Sequence, residues 1–125
     1  TGEEYKKVFD SAQLHLHVEA FDSESIELVK KSVSTKISAI LASGAPLLAY
    51  GPLCVESMKL LSENECAAII SDEAIDDSLL EKSFSDRQQQ LDSVVHALKF
   101  AEENFDAKKN SLRLKKILCN LTMKR

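Results

Sequence analysis

Between Phe84 and Leu121 an apolar side chain returns every seventh residue, at Phe84, Leu91, Leu98, Phe105, Leu112 and Cys119, with no proline or glycine between them. That rhythm predicts one long helix, or two stacked end to end. Val94, Val95 and Ala101 widen the stripe early, and Leu114, Ile117, Leu118 and Leu121 widen it late, while Gln, Lys, Arg, Glu and Asp fill much of the rest. A helix with one apolar side must lay that side on something. Unbroken, it would run roughly 55 Å at about 1.5 Å per residue, longer than a small domain is wide. Part of it is therefore expected to project or to meet a partner.

Composition sets the class around that helix. Three glycines, two prolines and no tryptophan leave little turn-rich β architecture, and 44% apolar with 29% charged residues excludes a disordered chain. The 125 residues suffice for one domain with one core. The Thr1-Gly2 start, without an initiator Met, suggests a fragment of something longer or a processed chain. Cys54, Cys66 and Cys119 are odd in number, far apart and form no C-x-x-C pair, which disfavours a disulfide framework or a zinc knuckle and favours a reducing, intracellular and cytoplasmic setting. The sequon Asn120-Leu121-Thr122 is a pattern that chance often produces, and nothing else points to secretion.

Earlier in the chain the periodicity is helical in places and ambiguous in others. Tyr5, Val8, Phe9, Ala12 and Leu16 suit a helix, whereas Ala12, Leu14, Leu16, Val18 and Ala20 suit strict alternation equally well. A helix over 3–18 is preferred, because a lone strand in a helical chain has no partner for its backbone groups. An edge strand offered to another molecule is the alternative. Asp22 caps a helix expected over 23–43, with Ile26, Val29, Val33, Ile37, Ile40 and Leu41 on one side and Gly44 and Pro46 ending it.

Residues 37–55 carry no charge, yet glycines, prolines and serines interrupt them without flanking aromatic or basic anchors, so a membrane span is disfavoured. A short helix is expected over 52–61, opened by Pro52. Ser62-Glu63-Asn64-Glu65 has the form of a capping box, which predicts another helix over 63–71, before an acidic connector at 71–77.

No catalytic set converges in sequence. His15-Leu16-His17 would aim both imidazoles to one face of a strand, as metal ligands can be arranged, but no third ligand is near and surface histidines flanking Leu16 are the plainer reading. His96 lacks the surroundings of a Cys-His nucleophile, and the three cysteines read as small core hydrophobes. Asp72, Glu73, Asp76 and Asp77 lack calcium-loop spacing and read as a hydrated connector that caps the next helix. Neither G-x-x-x-x-G-K nor G-x-G-x-x-G occurs, which disfavours nucleotide binding.

Charge is the least ordinary feature. Between Ser62 and Asp86 eight acids face only Lys82, whereas Lys108, Lys109, Arg113, Lys115, Lys116, Lys124 and Arg125 crowd the carboxyl end with no acid among them. The expected fold is mainly α: an antiparallel four- or five-helix bundle with a long C-terminal helix. The expected function is non-catalytic, protein–protein interaction or scaffolding without metal or cofactor. Leu91, Leu98, Phe105, Leu112, Arg113, Lys115 and Lys116 would contact a protein partner or a second copy. Two alternatives stay open: a carrier of a small apolar ligand or lipid between the 37–55 and 66–70 runs, and association of the basic helix with an anionic membrane or nucleic acid.

Overall fold

Three short apolar runs pair side by side in parallel and form a sheet at the centre of the chain. In the computed structural model, which describes residues 1–123, these are β1 (His15–Val18), β2 (Leu47–Tyr50) and β3 (Ala68–Ile70), in the order β1-β2-β3. Around them run α1 (Gly2–Ser11), α2 (Ser23–Val29), α3 (Lys36–Ala42), α4 (Glu56–Glu63), α5 (Asp77–Ser85), α6 (Arg87–Asn104) and α7 (Ala107–Met123). Helix holds 62% of the described residues, so the mainly helical expectation fits in part. The antiparallel four- or five-helix bundle does not. Residues 15–18 find their strand partners inside two uncharged stretches that periodicity alone cannot tell from buried helix.

Register divides the sheet into two faces. His15 pairs with Leu47, His17 with Ala49, and Ala49 with Ile69, which puts these side chains on one face. Leu47 and Ala49 there meet Ile37, Ile40 and Leu41 of α3, Met58 and Leu61 of α4, and Ala97 and Ala101 of α6 in the core. The other face carries Leu16, Val18, Leu48, Tyr50 and Ile70, and Leu80 and Phe84 of α5 line it only in part. The histidines thus point inward while Leu16 and Val18 point out, so the surface-histidine reading is overturned.

Tertiary bonds override local propensity at two expected helices. The helix foreseen over 23–43 is cut at Lys30–Thr35, where buried Ser57 takes over the backbone. Its Oγ accepts from the Ser34 N–H at 2.9 Å and donates to the Ser32 carbonyl at 3.4 Å, and the Glu56 N–H donates to the Lys30 carbonyl at 2.9 Å. Ser32, Val33, Ser34 and Thr35 are weak helix formers, so little is lost there. The segment read as a capping box ends a helix rather than starting one. Cys66 N–H donates to the Leu61 carbonyl and Glu65 N–H to the Ser62 carbonyl, the double bond of a Schellman ending, with Glu65 left-handed at φ 53°.

The C-terminal rhythm is real in sequence but is not one rod. Aspartates cap three successive helices: Asp76 accepts from Ser78 N–H, Asp86 from Gln89 N–H and Asp106 from Lys109 N–H, each at 2.9–3.0 Å. The uncharged 37–55 stretch is the end of α3, a turn and β2. Among the described residues no helix is long and apolar enough to cross a membrane.

His15 and Glu65 generate two predictions. Burial lowers the His15 pKa from 6.5, and its Nε2 is buried without a hydrogen-bond partner. The unfolded chain therefore takes up a proton that the folded one refuses, so stability is complete above 6.5 and falls as pH drops through it. Urea midpoints between about pH 7.5 and about pH 5.5 should fall for the parent chain and fall less for His15→Leu. Glu65→Gly relieves a left-handed non-glycine and should raise stability by about 1 kcal/mol in urea unfolding.

Candidate functional site

The residues expected to contact a partner fall on two helices. Leu91 and Leu98 of α6 are 58% and 42% exposed, and α6 turns its small residues Ser93, Ala97 and Ala101 inward instead. Spaced by four, these let α6 lie close along α3. The seven-residue stripe is thus the outer side of α6, not its core side. Phe105 sits at the C-cap of α6, exposed, edge-on to Phe100 at 5.7 Å. Leu112, Arg113, Lys115 and Lys116 stand on α7, beyond the break.

Polar contacts hold the first turns of α7 to the end of α6. Asn110 Nδ2 donates to the Asn104 carbonyl at 2.9 Å, Arg113 donates to the Glu103 carbonyl at 3.2 Å, and Lys109 lies 3.8 Å from Glu102. Arg113 is therefore a brace as well as part of the basic strip. Beyond it, no residue of α7 is buried, and Leu114, Ile117, Leu118 and Leu121 are between 55% and 61% exposed. Lys124 and Arg125, counted in the basic tail, lie outside the described residues.

A second arrangement escaped the sequence reading. At the carboxyl end of β1, a cavity of about 440 Å³ is lined by His17, Glu19, Ser32, Ser34, Thr35 and Lys36. His17 Nε2 lies 3.1 Å from Glu19 Oε1, and the two side chains are 9% and 15% exposed. The strand's alternation brings both residues to its inner face, and the Glu19 N–H donates to the Tyr50 carbonyl at 2.8 Å, which extends the ladder past β1. Gly51 makes room for this: a Cβ there would lie 2.7 Å from Glu19 Cβ. An imidazole paired with a carboxylate, beside hydroxyls and an ammonium, offers donors and acceptors to a polar ligand. The legible sign was H-x-H-x-E on an alternating run, set aside once that run was read as helix.

The remaining candidates have structural work. His96 Nδ1 lies 3.3 Å from the Glu65 carbonyl and holds the end of α4. Cys66 is buried, and burial pushes its thiol up to about 11, which leaves almost no thiolate at neutral pH. Cys54 and Cys119 are exposed, which corrects the reading of all three cysteines as core residues. Asp72 accepts from the Ala74 N–H within the connector. Among the described residues no three His, Cys, Asp or Glu side chains converge to hold a metal ion.

Gly51→Ala should cost about 1–3 kcal/mol in urea unfolding, the usual cost of overpacking. Part of that loss should vanish when Glu19→Gly is made in the same chain, because that change removes the Cβ with which the new one collides. Neither a family model, nor a curated protein, nor a solved structure matches this chain.

Proposed function

We propose that this chain is a non-catalytic assembly module whose docking element is α7. The observation that supports the reading is the placement of Leu114, Ile117, Leu118 and Leu121, at positions i, i+3, i+4 and i+7 of a helix that buries no residue against its own body. That spacing is the one an amphipathic helix uses to enter a groove. Burying each such side chain contributes about 1.5–3 kcal/mol, before the cost of association. A lone helix of this length is marginal in water, so α7 gains order as well as burial by docking. Arg113 and Lys115 beside the apolar face favour an acidic surround, whether on a partner protein or on another anionic surface. The carrier alternative loses support, since the residues meant to line its cavity, such as Ile37, Leu41, Leu47 and Cys66, fill the core. We place this work in the cytoplasm, where two exposed free thiols, Cys54 and Cys119, persist most readily.

A second reading rests on the His17–Glu19 pair: a site for a small polar ligand at the carboxyl ends of the parallel strands, where open α/β sheets receive their ligands. Glu19 would accept hydroxyl donors, and Lys36 would meet an anionic group. Thermal shift against a set of polyhydroxylated and phosphorylated small molecules should find a stabilising ligand whose effect is lost in Lys36→Ala. Absence of any shift would retire this reading.

For the docking helix, Ile117→Asp with Leu118→Asp should leave the urea midpoint of the isolated chain within about 0.5 kcal/mol of the parent, because both positions face water. A loss of several kcal/mol, as a core helix would show, contradicts the assignment.

A further inference from the structure

Parallel sheets are covered on both faces in nearly all known folds, because their crossover helices bury them. Here the outer face is covered over β2 and β3, where Leu48 and Ile70 are buried, but open along β1. Leu16, Val18, Leu48, Tyr50, Ile70 and Phe84 line an apolar groove of about 250 Å³, in which Leu16 and Val18 remain more than half exposed. The segment that follows β3 runs beside this groove: Ile75, Leu80 and Phe84 line it, and the Tyr50 hydroxyl donates to the Glu73 carbonyl at 2.8 Å. From Ser71 to Asp86 that segment carries six acids against Lys82 alone.

The chain also carries the complement. Helix α7 presents Leu114, Ile117, Leu118 and Leu121 at groove-binding spacing, and from Ala107 to Met123 it holds five bases and no acid. About 25 Å long at 17 residues, it can cross three strands spaced ~4.8 Å apart. An apolar groove beside an acidic segment and an apolar helix flanked by bases match in both respects.

We infer that α7 of one copy docks in the outer-face groove of a second copy, and the reverse, to give a closed twofold dimer. This inference rests on α7 being the docking element, and it names the occupant. Exchange in both directions makes the contact self-complementary, so it closes at two chains instead of growing into a filament.

Light scattering of the full chain over a wide concentration range should give a dimer that dissociates on dilution. Leu118→Asp on the helix and Leu16→Asp in the groove, both at exposed positions, should each weaken it roughly tenfold or more. Charge then tests the pairing. A chain with Lys115→Glu and Lys116→Glu and a chain with Glu73→Lys and Glu81→Lys should each dimerise poorly alone, and a mixture of the two should dimerise again. A dimer indifferent to Leu16→Asp overturns the inference. So does a monomer at every concentration, and a polarity-sensitive dye on Leu118→Cys, in a background of Cys54→Ser and Cys119→Ser, then separates the two failures. A dye that stays in water leaves α7 as the docking helix of some other assembly. A dye buried in the monomer overturns the docking helix as well.

Discussion

Everything in this fold hangs on the ladder through β2. Its four residues, Leu47–Tyr50, pair with β1 on one side and β3 on the other, and three of them are buried. A strand so placed must be apolar on both faces, which is why it lies in the uncharged part of the chain. Once it is fixed, Leu47 and Ala49 select the inner layer of α3, α4 and α6, while Leu48 and Tyr50 face the groove beside α5. The same ladder carries Glu19 and Gly51 past the strand ends and sets the His17–Glu19 pair over its cavity.

Helix α6 settles how the large apolar residues are spent. Its inward stripe is Ser93, Ala97 and Ala101, small enough for close packing on α3, so Leu91, Val95 and Leu98 are left facing water. Helix α7 goes further and buries nothing. This much exposed apolar surface on one helix, with bases beside it, is what the proposed docking role would cover. Buried Cys66 is held as the neutral thiol, and exposed His96 is tied to the turn after α4.

The sequence made some elements legible and hid others for physical reasons. Helix positions showed through capping chemistry and spacing: Asp22 does accept from Ser25 N–H, and Asp76 from Ser78 N–H, as acids at helix starts should. The three strands hid because runs of three or four residues carry too little period to distinguish them from buried helix, and because pairing partners lie about 20 or about 30 residues apart. The break at Lys30–Thr35 depends on Ser57, a residue far along the chain, so no local pattern could reveal it. The breaks at Asp86 and Asp106 were readable as caps but were outweighed by a seven-residue rhythm that carried on across them. Of the candidate contact residues, Leu112, Lys115 and Lys116 lie on exposed α7, Arg113 braces α6 and Phe105 closes its end. The carboxyl-end pocket was invisible once residues 15–18 were read as helix.

The central claim is that α7 stands clear of its own domain until something docks on it. Hydrogen exchange followed by mass spectrometry, at a dilution where the chain is monomeric, measures this directly. The account predicts that α7 amides exchange at nearly the rate of an isolated helix while those of β2 exchange only on global unfolding. Protection of α7 equal to that of β2 in the monomer would contradict it.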